Sequence, residues 1–140
     1  MDEKKKISIA IVCANFNMEI TEPMLQEAVA YAKKQGAEVK ATVEVPGAYE
    51  IPFACSKLLA RKDIDAIAAV GAVIKGETKH DEVITQAICS ELLRLSSQSG
   101  KPIGLGISGP GQTWEQAKAR AKDYAHRSVH AALAMAGKKF

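Results

Sequence analysis

No apolar run in the 140 residues approaches the roughly 20 needed to cross a bilayer, so a membrane span is not expected. Charge of one sign is also scarce. The net charge is +3, and much of it comes from Lys4, Lys5, Lys6, Lys138 and Lys139 at the chain ends. Aromatics make up only 5% of the chain and no basic patch interleaves with them, so nucleic acid is not an expected partner. Cysteines number three, Cys13, Cys55 and Cys89. That odd count, with no metal-ligand spacing, speaks against a disulfide framework or a metal site and for reduced, buried thiols. The opening MDEKKK lacks the apolar core of a secretory leader, which makes the cytoplasm the expected compartment. Internal repeats, linkers and low-complexity tracts are absent too. What remains reads as one globular domain over residues 1–140, with residues 1–6 expected to be flexible.

Strands and helices alternate along that domain. Ile7–Cys13 and Ile64–Val70 are short apolar runs bounded by turn-forming residues and read as buried strands. Val39–Val45 alternates more, which places it at a sheet edge. Pro102–Ile107 is the fourth strand. Met24, Leu25, Ala28, Val29 and Ala32 form an apolar stripe at helical spacing, in a helix capped by Thr21, with Pro23 in its first turn and its stop at Gly36. A second helix spans about Tyr49 to Arg61. A third, capped by Thr78, runs from Lys79 to about Ser97. The last begins at Thr113, which with Gln116 makes a capping box, and ends near Met135. Such β-α alternation calls for a three-layer αβα sandwich. Its centre would be a four-stranded parallel sheet in flavodoxin-like order, with helices on both faces and ligands beyond the C-terminal strand ends. The expected loops at those ends hold Phe16, Pro46–Glu50, Gly71–His80 and Gly104–Thr113.

Gly71–Ile84 (GAVIKGETKHDEVI) carries the densest chemistry. A strand, a turn at Gly71 and Gly76, and a helix start present free N–H groups suited to an anion. His80 in the first helical turn belongs to the side-chain type that moves protons near neutral pH. The same pattern also describes an ordinary cap with a surface histidine, and Glu77 suits an anion only if its carboxylate points away. Val45–Pro52 (VPGAYEIP) sets a ring and a carboxylate at a strand end, as a heterocyclic or polyhydroxylated ligand would need. On pattern alone, a plain turn with Glu50 at a helix dipole is the simpler reading. Phe16 between Asn15 and Asn17 could stack on a planar ring, or be a core residue between turn asparagines. Gly104–Thr113 (GLGISGPGQT) matches G-x-G-x-x-G and nearly matches Walker A. However, Gln112 stands in place of the lysine, and no strand follows the last helix to complete a dinucleotide fold. His126 and His130 have zinc-compatible spacing, but Arg127 stands where the metalloprotease motif needs glutamate, and a helix face is the simpler reading. Trp114 reads as packing.

Together, ANFN (Ala14–Asn17), VPGAYEIP (Val45–Pro52) and GAVIKGETKH (Gly71–His80) resemble the lumazine synthases in order and spacing, over about Ile7 to Met135. The ETKHDEV wording and the SGPG segment are similar to the archaeal branch. The resemblance implies condensation of 5-amino-6-(D-ribitylamino)uracil with 3,4-dihydroxy-2-butanone 4-phosphate, releasing phosphate and water, with no metal and no organic cofactor. It further implies that Phe16 stacks on the pyrimidine and that Gly47, Ala48, Tyr49 and Glu50 hold the ribityl chain and nearby polar atoms. Val73 and Ile74 would line the ring pocket, Gly76, Glu77 and Thr78 bind phosphate, and His80 act as the catalytic proton shuttle. Leu105 and Arg120 would come from a neighbouring subunit of a pentamer, or of a shell of twelve pentamers. The chain departs from the family pattern at Leu105 and at Asp81, both commonly aromatic. A second basic residue of the last helix is also missing from its usual place, with Lys122 and Arg127 nearby. Two other functions compete: an archaeal-type riboflavin synthase acting on two lumazine molecules, and a catalytically lapsed shell or scaffold protein of the same fold. The intact Gly76–His80 segment counts against the first; Phe16, Glu50 and His80 together count against the second.

Overall fold

A computed structural model describes residues 6–140; Lys4, Lys5 and most of the expected flexible N-terminus lie outside the described residues. Four strands, β1 (Ser8–Ala14), β2 (Glu38–Val45), β3 (Ala66–Ile74) and β4 (Ile103–Gln112), alternate with four helices: α1 (Met18–Lys34), α2 (Ile51–Leu59), α3 (His80–Ser99) and α4 (Trp114–Ala136). One 3-10 turn, Ala48–Glu50, leads into α2. All pairings are parallel and the sheet order is β2-β1-β3-β4, the flavodoxin-like arrangement.

Side chains alternate across each strand, so the two inner strands feed two cores. Ile9, Ile11, Cys13, Ala66, Ala68 and Val70 point to the α1–α4 layer. Ala10, Val12, Ala14, Ile67 and Ala69 point to the α2–α3 layer. Burial on both faces is why β1 and β3 read as unbroken apolar runs, whereas β2, exposed at every second residue, sits at the edge as its alternation requires.

Several boundaries differ from the sequence reading. Helix α1 starts at Met18, and its cap is Asn17 rather than Thr21. Asn17 adopts a left-handed conformation (φ 67°) that asparagine tolerates better than most residues, and its carbonyl accepts from the N–H groups of Ile20 (2.9 Å) and Thr21 (3.0 Å). Thr21 is buried inside the helix, and Pro23 lies in the second turn rather than the first. The chain does not turn at Gly71; β3 continues to Ile74. Likewise most of the Gly104–Thr113 segment is strand rather than loop. Two of its glycines, Gly104 and Gly106, allow close packing. A Cβ on Gly104 would lie 1.8 Å from the Ser128 carbonyl oxygen, and one on Gly106 would lie 2.9 Å from that of Tyr124, so α4 rests directly on β4 backbone. The Thr113–Gln116 capping box forms as the sequence predicts. Trp114 packs against the α1–α4 core, with the Lys118 ammonium over its ring. No helix among the described residues is long and apolar enough to cross a membrane.

Candidate active site

Three strand ends and one helix start meet in a cleft of about 520 Å³. Phe16 and Asn17 come from the end of β1, Gly47, Ala48 and Tyr49 from the β2–α2 turn, and Ala72, Val73 and Ile74 from β3. Gly76, Thr78, His80, Asp81 and Ile84 close it from the β3–α3 turn and the first turns of α3. The cleft lies at the C-terminal strand ends, where a parallel sheet presents ligand sites. Its wall is largely apolar with a few convergent polar groups, the composition of small-molecule sites.

Phe16 and Tyr49 are each 70% exposed. That removes packing within its own chain as the explanation for Phe16: a large ring exposed at a cleft mouth is available to stack. The Asn15 N–H donates to Val45 O (2.7 Å), tying the ends of β1 and β2, and Asn17 Nδ2 donates to Ala72 O (3.4 Å), tying the Phe16 turn to β3. Glu50 is half-buried and does not itself line the cleft; its Oε1 lies so close to Gly47 that a Cβ there would stand 3.3 Å away. Glu77 is exposed and does not line the cleft.

Helix α3 begins one residue later than its sequence suggests. Lys79 occupies the cap position, and Thr78 sits just before it. The Thr78 hydroxyl oxygen accepts from the His80 N–H at 3.3 Å, which leaves its own proton free to donate. First-turn N–H groups have no partner within a helix, and the helix dipole adds positive potential there. His80 is exposed and faces into this region of the cleft. An anion, a proton-transfer group and a planar ring therefore find complementary features within one cavity.

Leu105 and Arg120 are elsewhere. Leu105 is half exposed on the open edge strand β4, in a separate shallow groove with Cys89, Leu92 and Leu93. Arg120 is exposed on α4. Neither lines the cleft. Asn17, Ala72, Asp81 and Ile84 do line it but were not among the sequence candidates. A second cavity of about 410 Å³, near Tyr31, Gln35 and His130, opens at the other end of the sheet, away from these groups. There the His126 ring stacks on Tyr31 with centroids 3.7 Å apart, and His130 Nδ1 lies 3.5 Å from the Tyr31 hydroxyl, so both histidines pack against α1. Burial pushes the Cys55 thiol up to about 12; burial, with Glu44 nearby, does the same for Cys13, and burial raises Cys89 as well. Such thiols make poor nucleophiles.

Similarity to known proteins agrees with this geometry. Residues 6–139 match the family model described as 6,7-dimethyl-8-ribityllumazine synthase. Curated proteins of that name are close in sequence. The one from Staphylothermus marinus is 50% identical over 127 residues, covering 91% of this chain and 85% of its own. Those from Metallosphaera sedula and Pyrobaculum arsenaticum are 48% and 47% identical, covering 96% and 95% of this chain and 89% of each relative. With the match running through every strand and helix that builds the cleft, the chain belongs to the 6,7-dimethyl-8-ribityllumazine synthase family.

Proposed function

We propose that the cleft joins 5-amino-6-(D-ribitylamino)uracil to 3,4-dihydroxy-2-butanone 4-phosphate, yielding 6,7-dimethyl-8-ribityllumazine, phosphate and water. The observation that carries this reading is the convergence of Phe16, the 47–49 turn, Val73–Ile74 and the Gly76–His80 segment on one cavity. The pyrimidine stacks on Phe16 against Val73 and Ile74. Gly47, Ala48, Tyr49 and Glu50 face the ribityl chain. Phosphate sits at the amide end of α3, where Gly76, the Glu77 backbone and the Thr78 hydroxyl can donate to it.

The amine of the uracil is already a competent nucleophile, so positioning and proton management dominate the catalysis. It adds to the butanone carbonyl, and the resulting carbinolamine loses water to form an imine. Breaking the carbon–oxygen bond to phosphate concentrates negative charge on the departing oxygens, which fixed N–H dipoles stabilise. His80 supplies and removes the protons of these steps. Removal of the neighbouring carbon-bound proton as phosphate leaves gives an enol, which tautomerises to a methyl ketone, and the ribityl-bearing exocyclic nitrogen then closes on that new carbonyl with loss of a second water.

Arg120 and Leu105 enter this scheme only from a neighbouring copy, because both lie outside the cleft of their own chain. An arginine delivered to the phosphate would bind it bidentately. The reading therefore describes a cytoplasmic homo-oligomer, a pentamer or a larger shell, with sites between subunits. Incubating the purified protein with both substrates tests it. Equimolar appearance of lumazine absorbance and inorganic phosphate is expected; no product, or conversion of added lumazine to riboflavin instead, would overturn it.

A further inference from the structure

Asp81 is a carboxylate only 7% exposed, and among the described residues no cation lies within salt-bridge distance of it. A carboxylate so placed needs hydrogen bonds to offset its lost hydration. It has a distinctive one: Oδ2 accepts from the Gly111 N–H at 2.9 Å, across 30 residues of sequence. Its position in the first turn of α3 adds the favourable end of the helix dipole.

Gly111 belongs to a turn with unusual backbone geometry. Gly109 has φ 111° and Gly111 has φ 76°, and a Cβ on Gly109 would meet Val73 O at 2.5 Å. The turn is stitched to the end of β3 by Gln112. Its Nε2 donates to Val73 O (3.3 Å) and to Ser108 Oγ (2.7 Å), and its carbonyl accepts from the Lys75 N–H (2.9 Å). Asp81 fastens the same turn to α3. Between these anchors, residues 76–79 are exposed. The 108–112 segment thus bridges two walls of the cleft that the chain itself joins only through an exposed turn.

We propose that Asp81 is a positioning residue: by holding the Gly111 N–H it locks the first turn of α3, with His80 and the phosphate-facing amides, onto the sheet end that carries Val73 and Ile74. This rests on the preceding functional reading. Misplacing a reacting group by about 1 Å can cost on the order of a hundredfold in rate, so such a lock has kinetic consequences.

The test compares the full-length protein with Asp81→Asn and Asp81→Ala. Asparagine keeps an oxygen that can accept from Gly111; alanine does not. Hydrogen–deuterium exchange of the peptide spanning residues 108–112 should be unchanged in Asp81→Asn and at least about tenfold faster in Asp81→Ala. Turnover should stay within about threefold of wild type in the asparagine variant and fall about tenfold or more in the alanine variant. The KM for the pyrimidine, held by Phe16 and the 47–49 turn, should not move. Should the alanine variant fail to fold, Asp81→Leu fills the space without an acceptor. Wild-type turnover in folded Asp81→Ala, or an asparagine variant as impaired as the alanine one, would overturn the proposal. A wild-type protein making no lumazine would instead defeat the functional reading. The exchange comparison would still stand, and unaltered exchange in Asp81→Ala would refute the tether itself.

Discussion

Replacing Gly104 with alanine should be the most damaging single-methyl change in the molecule. The new Cβ would lie 1.8 Å from the Ser128 carbonyl oxygen, 2.7 Å from its carbonyl carbon and 3.1 Å from the Ala132 nitrogen. All three are main-chain atoms of α4, so no rotamer change relieves the clash. Restoring an ordinary contact near 3.5 Å requires α4 to withdraw by about 1.7 Å. That movement would pull Ala121, Ala125 and Ala132 off the sheet and break the Ser128 Oγ hydrogen bond to Gly104 O, now 2.7 Å. Overpacking costs about 1–3 kcal/mol, and leaving the buried Ser128 hydroxyl without its partner about 1–3 more. A total near 4 kcal/mol is a large share of a typical stability of roughly 5–15 kcal/mol. Urea unfolding of wild type and Gly104→Ala at matched protein concentration measures the difference. Gly111→Ala is the control: its site is open and only its positive φ resists a side chain, for about 1–2 kcal/mol. A Gly104→Ala protein within 1 kcal/mol of wild type, or one no worse than Gly111→Ala, would refute the packing argument.

Other perturbations test the site. His80→Ala should slow turnover by about 10²–10⁴-fold with little change in substrate affinity; an unaltered rate would remove His80 from proton transfer. Phe16→Ala should raise the KM for the pyrimidine about three- to tenfold without lowering stability, since the ring is 70% exposed; a loss of stability instead would mark it as a packing residue. Arg120→Ala should mainly raise the KM for the phosphorylated substrate, and mixed assemblies of His80→Ala and Arg120→Ala subunits should regain activity, because some sites then receive both intact residues. Failure of such mixtures would count against a site shared between subunits. The Cys55 thiol is raised from 9.0 to about 12 by burial, so the unfolded chain loses that proton first as pH rises. Its contribution to stability is complete below pH 9 and is lost between about pH 9 and 12, at about 1.4 kcal/mol per pH unit. Urea unfolding at pH 8, 9.5 and 10.5 should therefore show a shallower decline for Cys55→Ala; parallel declines would contradict the assignment.

Much of this was legible in the residues because local pattern and tertiary environment agree. Alternation in Val39–Val45 marks an edge, and uniform apolarity in Ile7–Cys13 and Ile64–Val70 marks strands covered on both faces. Reading failed where a distant segment decides. Gly71 looks like a turn residue, yet it sits within β3 with the Ala14 side chain packed closely over it; Gly104 and Gly106 fall in the expected fourth strand, but nothing local shows that α4 leaves no room there for a Cβ. Thr21 has the chemistry of a cap, but Asn17 four residues earlier accepts the left-handed conformation that starts the helix. Phe16 between two turn asparagines reads more simply as a core residue, and only its exposure shows otherwise. The burial of Asp81 has no local signal at all, since its partner lies 30 residues away. Leu105 and Arg120 stand apart from the cleft for a different reason: their proposed place in the site depends on a second copy of the chain.

The central claim is that a sugar phosphate is held at the amide end of α3 beside His80 while a pyrimidine lies on Phe16. A crystal structure of the protein with a ribitylated pyrimidine analogue and inorganic phosphate tests it most directly. The account predicts phosphate within hydrogen-bonding distance of the Gly76–His80 backbone and the Thr78 hydroxyl, with the ring stacked on Phe16. Phosphate bound elsewhere, or a ring outside the cleft, would contradict it.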